Sequence, residues 1–561
     1  MTESVVKRRR LSVEDDDKAQ DAEGTDHVAL SSLSRPISPP PRMKKPKLKT
    51  RIASPFRLTR IRDLSDANNV DAVSLSDLVG DPLIAELWSF NYLHDIDFLM
   101  SHLDEDTRAL TKVHVVHGFW KREDSNRLLL HEQASRYENI ALHTAWMPEP
   151  FGTHHTKMLV LFKHDDTAQV IIHTANMIAK DWTNMTNGVW TSPPLPKLQP
   201  AHQTPSTRGP IGSGSRFKSD LLSYVRKYDK LRRSLAEELA KYDFSAVRGA
   251  LVASVPGSHP VEQGQDTTSW GWHGLREALR NVPAQPGPSD IVVQISSIAS
   301  LGPKDSWLQH TLFDSLAASR PSPPSSSSLE SRPRPDFKIV FPTPDEIRAS
   351  LDGYASGGSI HTKITTPPQE KQFRYMRPLL HHWTNKPDSP DGVLASTSTS
   401  TSTSTSASTS TSASTSTSAS TSTSGDAGRG RAAPHIKTYI RYGERSIDWA
   451  LLTSANVSRQ AWGGAADGPG GKMRIASWEV GVLVWPALLA GEEGAKMIGT
   501  FKTDEPGGDG DGDEDEDESS AVVGLRIPYS LPLKKYGDAE VPWVAAMDYA
   551  QPDWMGQRWG R

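Results

Sequence analysis

Two stretches of this chain, 280 residues apart, repeat one pattern of chemistry-bearing residues. His155-Thr-Lys157 is followed, 19 residues beyond the lysine, by Asn176 in Thr174-Ala-Asn176; His435-Ile-Lys437 is followed at the same distance by Asn456 in Ser454-Ala-Asn456. Six residues past each asparagine stands a tryptophan, Trp182 and Trp462. The two segments look like copies of one unit, a tighter constraint than any composition figure. Each copy reads as strand, turn, strand and helix, with strands at 156–162 and 170–173 and again at 436–441 and 449–452. Alternate side chains of a strand share a face, so His155 and Lys157 point together while His154 points away, and His435 pairs with Lys437 likewise. The asparagine closes the second strand, where pairing brings its amide towards the histidine. The tryptophans are expected to be core anchors. A third His-x-Lys, His361-Thr-Lys363, has His382 where an asparagine is required, and is set aside as a surface-loop residue near Gly357-Gly358.

Two histidines, two lysines and two asparagines make a complete set for opening a phosphodiester without a metal. A neutral imidazole attacks phosphorus and a protonated one gives its proton to the leaving oxygen, roles suited to a group whose ordinary pKa is about 6.5. Ammonium and amide donors then stabilise the charge that gathers on the non-bridging oxygens, work that metal ions do elsewhere. Neither a cofactor nor a metal is expected, and His131-Glu132 lacks the second histidine of a His-Glu-x-x-His zinc helix. The spacing leaves open which histidine attacks.

The 561 residues contain no cysteine, which excludes disulfides, thiolate metal sites and a cysteine nucleophile. The longest apolar stretch, 480–491, is too short to span a bilayer and contains Pro486, so a soluble, unsecreted protein is expected. Net charge is -4, but residues 1–65 hold 15 Lys/Arg against 9 Asp/Glu. Lys7-Arg8-Arg9-Arg10 and the cluster at 44–49 read as a nuclear address or nucleic-acid-binding arm on a disordered tail, 1–65. Globular pattern follows, expected as domains at 66–256 and 257–561. Low-complexity insertions interrupt the second at 319–334, 395–424 and 504–519. The last includes an acidic run, Asp509 to Asp515, without the glycine and glutamate of a calcium loop. Leu221, Leu222, Val225 and Tyr228 recur at helical spacing among Arg216, Lys218, Arg226 and Lys227, an amphipathic helix whose basic face is either solvated or laid on phosphates.

These residues resemble the phospholipase D superfamily, and within it the tyrosyl-DNA phosphodiesterase branch. The superfamily's usual aspartate, five residues past the lysine, is here Phe162 and Tyr442, a loss typical of that branch. Phe151-Gly-Thr-His-His-Thr-Lys157, Ser296-Ser-Ile-Ala-Ser-Leu-Gly302 and Ser477-Trp-Glu-Val-Gly481 are also similar to its motifs, and the likeness runs over 66–561 outside the insertions. The resemblance implies an α/β fold of two similar phospholipase D-like domains, mixed sheets flanked by helices, related by a pseudo-twofold axis. It implies that His155 attacks to form a covalent phosphohistidine and that His435 protonates the leaving tyrosine. Lys157, Lys437, Asn176 and Asn456 then hold the phosphate, and Glu479 and Asn187 orient the histidines; Asn187 departs from the glutamine common in the family. Phe151, Ser297, Ser300 and Ser458 match DNA-contacting positions. The implied substrate is DNA with a blocked 3′ end, single-stranded or nicked, carrying a topoisomerase-derived peptide adduct, handled by a nuclear monomer without membrane attachment. A phospholipase D-type lipid phosphodiesterase or nuclease, or a non-catalytic DNA-binding scaffold, remains the alternative.

Overall fold

Runs such as 158–162 are apolar at every position because both their faces are buried. Met158, Val160 and Phe162 join the largest hydrophobic cluster, while Leu159 and Leu161 join a second on the opposite face. The computed structural model describes residues 50–200, 208–228, 233–261, 267–321, 333–385, 424–466, 471–507 and 521–560. The clusters at 7–10 and 44–49 and the acidic run at 509–515 lie outside them.

The N-terminal sheet is built from β1 (Phe56–Leu58), β2 (Ile84–Phe90), β3 (Lys112–His117), β4 (Ile140–Thr144), β5 (Met158–Lys163), β6 (Thr167–His173) and β7 (Gly188–Thr191). Helix α1 (Gly214–Arg226) follows. The C-terminal sheet uses β8 (Ala250–Ser254), β9 (Asp290–Gln294), β10 (Asp336–Val340), β11 (Leu380–His381), β12 (Thr438–Tyr442), β13 (Ile447–Thr453) and β14 (Glu479–Val484). The first sheet runs β1-β7-β6-β5-β2-β3-β4, with Leu195–Pro196 added alongside β6, and the second runs β8-β14-β13-β12-β9-β10-β11. Adding seven to each label converts one order into the other. The strand directions repeat as well: β2, β3 and β4 are mutually parallel, as are β9, β10 and β11, and the remaining neighbours are antiparallel. The duplicated motif is therefore the centre of a duplicated domain.

The halves share the largest core, and their glycines allow close approach: a Cβ on Gly188, at the start of β7, would meet Ile436 and Leu452 side chains at 2.7 Å. Helix α1 buries Phe217, Leu221, Leu222, Tyr224 and Val225 and packs on β8. Hydroxyls of α1 and of the turn after it reach the segment that leads into β5. Tyr224 and Tyr228 bond the Thr156 hydroxyl at 2.6 and 3.0 Å, and Tyr228 bonds His154 Nε2 at 3.0 Å, so His154 does turn away from its neighbour, into the helix layer.

Several boundaries differ from the sequence reading. Order begins inside the expected tail, because Arg51–Ile52 pairs with residues 522 and 523 and Phe56–Leu58 pairs with β7, burying Phe56 and Leu58 on one side. A three-residue alternation is too short to stand out from a basic, proline-rich background. Strand β8 precedes Pro256 yet pairs with β14, so the changeover between sheets falls earlier in the chain. Asp504 is not in a solvated loop: it is buried, accepts the Ser54 N–H and pairs with buried Arg526 at 3.1 Å. The basic face of α1 is partly spent inside the protein. Arg216 pairs with Asp220 and Glu277, and Lys218 donates to the Ala240 and Tyr242 carbonyls.

Candidate active site

The sheet pairing of β5 and β12 starts at Met158 and Thr438, two residues later than the expected strands, so both His-x-Lys triplets sit on extended lead-ins. The reason is that their backbones bond to the other half. The His155 N–H donates to the Trp478 carbonyl at 3.0 Å and the His435 N–H to the Thr186 carbonyl at 2.9 Å. Those acceptors immediately precede Glu479 and Asn187, which stand two residues before Gly481 and Val189. Gly481 is the register partner of Thr453, and Val189 that of His173. Glu479 and Asn187 thus occupy equivalent places, and each reaches across to the other half's histidine.

His155 Nδ1 lies 2.9 Å from Glu479 Oε2, which also accepts the Ser454 hydroxyl at 2.6 Å. A nitrogen facing a carboxylate carries the proton, leaving Nε2 with its lone pair. His435 Nδ1 lies 3.3 Å from Asn187 Oδ1, but closer, 3.0 Å, to Asp181 Oδ2. Sequence reasoning missed Asp181. It sits in the first turn of helix Ala179–Thr183, fully buried, and accepts the Asn176 N–H at 2.6 Å. The available signal was an asymmetry between the copies: five residues past Asn176 is an aspartate, whereas five past Asn456 is Ala461. Asn187 secures this arrangement, accepting the Thr174 hydroxyl and donating to the Asp181 carbonyl.

A cavity of about 340 Å³ is lined by His155, His435, Asn176, Asn456 and Glu479, together with Phe151, Ser297 and Ser458. Asn456 Oδ1 is held by the Ser296 and Ser297 N–H groups at 3.1 and 2.9 Å, which turns its NH₂ donor away from them. Phe151 is 85% exposed. Ser458 also caps helix Arg459–Trp462. Ser300 does not line the cavity; it is exposed and accepts a bond from Gln369. Lys157 and Lys437 are fully buried, each with its Nζ turned to its own histidine's carbonyl. Trp182 and Trp462 are core residues, their indole N–H groups donating to the Asn176 carbonyl and the Tyr439 hydroxyl. His361 is a surface residue as expected, but the Ser297–His361 bridge carries it into the cavity wall.

Every cationic group of the site is pushed towards its neutral form. Burial, opposed by Glu479 and Asp181, lowers Lys157 to about 8; burial and then the neighbouring Lys157 take Lys437 well below the usual lysine value. Burial lowers His155, and burial together with the lysines lowers His435 to about 3. Asp181 is held low despite burial, chiefly by His435 and the Asn176 N–H. For the two lysines and the two histidines burial is the largest cause, and an anion beside these groups would favour their charged forms. Among the described residues no cluster of three or more His, Asp or Glu has the arrangement of a metal site.

The sequence profile described as Tyrosyl-DNA phosphodiesterase matches residues 55–537. The chain belongs to the tyrosyl-DNA phosphodiesterase family. It is 28% identical to the probable tyrosyl-DNA phosphodiesterase of Schizosaccharomyces pombe, covering 91% of this chain and 96% of the relative. It is also 29% identical to tyrosyl-DNA phosphodiesterase 1 of Arabidopsis thaliana, over 91% and 77% of the two chains. The yeast tyrosyl-DNA phosphodiesterase crystal structure superposes with a TM-score of 0.57 at 19% identity, covering 87% of this chain and 98% of that one, a likeness of fold. Tyrosyl-DNA phosphodiesterase membership accords with the two phospholipase D-like halves.

Proposed function

We propose that this tyrosyl-DNA phosphodiesterase family member is a DNA-repair hydrolase that removes phosphotyrosyl and related adducts from DNA 3′ ends without a metal. The observation that carries the reading is the pair of histidines, each braced by a carboxylate of the other half, that line one cavity together with Asn176 and Asn456. His155 Nε2 attacks phosphorus, the bond from phosphorus to the tyrosyl oxygen breaks, and His435 transfers its proton to that oxygen. His435 then takes a proton from water, whose oxygen displaces His155 and leaves a 3′-phosphate. The anionic phosphodiester opposes the burial and the neighbouring lysines that lower His435, and so favours its protonated form. Asn176, Asn456, Lys157 and Lys437 stabilise the non-bridging oxygens. Asp181, with Asn187, fixes the His435 tautomer; Glu479 does so for His155. Phe151, Ser297 and Ser458 accommodate the DNA strand leading to the 3′ end, and a topoisomerase-derived peptide is the adduct. The basic tail addresses a nuclear monomer. None of the described helices is long and apolar enough to cross a membrane.

Cleavage of a single-stranded oligonucleotide bearing a 3′-phosphotyrosine tests the reading. Wild type is expected to leave a 3′-phosphate, His155→Ala to bind DNA without turnover, and His435→Ala to accumulate a protein-DNA adduct. Undiminished turnover by His155→Ala would sink it.

A further inference from the structure

The mechanism leaves a third histidine of the cavity unused. His361 is held by its backbone, its N–H donating to the Ser296 carbonyl and its carbonyl accepting the Ile298 N–H, both at 2.9 Å. The same Ser296-Ser297 segment clamps Asn456, so the ring stands on a rigid platform. It is surface-accessible on the cavity wall, though neighbouring groups surround enough of the ring for burial to lower its pKa.

Its flank is identifiable. The cations acting on it are Lys180, Lys437 and Lys363: Lys437 belongs to the His435 triplet and Lys180 precedes Asp181, the partner of His435. The same loop approaches Lys180 directly, since a Cβ on Gly358 would lie 3.2 Å from its Nζ, which donates to the Ala355 carbonyl. In an in-line displacement the nucleophile and the leaving oxygen lie on opposite sides of phosphorus. With His155 attacking, the departing group occupies the His435 flank.

We propose that His361 is a specificity-determining residue that contacts the leaving group, its imidazole N–H donating to a carbonyl or carboxylate of the peptide attached to the departing tyrosine. The proposal rests on the roles given above to His155 and His435. An imidazole on a cationic flank suits such acceptors, and a plain aryl ester offers none beyond the ring.

Two oligonucleotide esters of matched leaving-group acidity separate the possibilities: a 3′-phosphotyrosyl peptide and a 3′-phenyl phosphate. For His361→Ala, kcat/KM on the peptidyl ester is expected to fall about tenfold, the loss of one hydrogen bond, while the phenyl ester changes less than about twofold. Affinity for the 3′-phosphate product is expected to stay within about twofold, and His361→Gln, which keeps a donor, to recover part of the peptide preference. Equal loss on both esters, weakened product binding, or no change on either ester would overturn the proposal. Failure of the parent reading is distinguishable, since then wild type cleaves neither ester or His155→Ala cleaves both.

Discussion

The carboxylate of Asp181 and the imidazole of His435 meet at 3.0 Å although they come from opposite halves of the molecule. Glu479 and His155 make the reciprocal contact at 2.9 Å, so neither half holds a complete histidine-carboxylate pair by itself. Asp181 should therefore matter more to His435 than Asn187, whose contact is longer and whose amide is neutral. Asp181→Asn is expected to lower kcat about 100-fold, because the amide presents a donor or a weaker acceptor to Nδ1. Asn187→Ala should cost less, about tenfold. Single-turnover quench experiments would show Asp181→Asn accumulating the covalent adduct, since hydrolysis needs His435 as base. An Asp181→Asn enzyme with wild-type rates would remove Asp181 from the mechanism.

Much of this site was legible because duplication is written in spacing. His155, His435 and the two asparagines share one cavity because strand alternation and strand pairing are local rules, whereas Lys157 and Lys437, expected on the face of their histidines, are buried with Nζ turned to the histidine carbonyls and do not line it. Asp181 was illegible because its partner is reached only across the interface between halves, which no periodicity encodes. The place of His361 was illegible for a related reason. The missing asparagine sets His361 apart from the two duplicated units, and only the bridge from Ser297 to His361 places that loop at the cavity. Phe56 and Leu58 were lost in the tail because a strand three residues long gives no periodic signal.

Chelation should leave the reaction untouched. The cavity is lined by the imidazoles of His155 and His435, each bonded through Nδ1 to a carboxylate, by the amides of Asn176 and Asn456, and by one carboxylate, Glu479, already bonded to His155 and Ser454, a set too poor in free oxygen ligands for a divalent cation. Initial rates in 5–10 mM EDTA, on the order of the excess needed to strip weakly held ions, are expected to match those with added Mg²⁺. Inhibition by EDTA that Mg²⁺ or Zn²⁺ reverses would refute a metal-free mechanism.

The interface between halves gives a prediction through Gly188. A methyl group there would press to 2.7 Å on the side chains of Ile436 and Leu452, and Ile436 separates His435 from Lys437. Gly188→Ala is expected to destabilise the fold by about 1–3 kcal/mol, the usual range for an overpacked core, and to displace His435 enough to lower kcat more than KM. Thermal unfolding followed by circular dichroism, alongside steady-state kinetics, reads both effects. Unchanged melting and turnover would mean that the two halves are less closely packed at this point.

Proton linkage offers a test of the anion site that does not depend on turnover. Burial lowers Lys157 to about 8, and a bound phosphate favours its ammonium form, raising that value. A group whose bound-state pKa exceeds its free value contributes affinity that is fully present below the free pKa and is lost as pH climbs through the bound one. The Kd of a 3′-phosphate oligonucleotide should therefore be nearly flat between about pH 7 and pH 7.5, then rise towards pH 9.5 with a slope approaching one decade per pH unit for one proton. Lowering of Lys437 acts in the same direction, so a steeper rise would mean that both lysines take up protons. Lys157→Gln should weaken binding at pH 7 and flatten the dependence. A wild-type Kd that stays constant to pH 9.5 would show that the ammonium of Lys157 does not meet the phosphate.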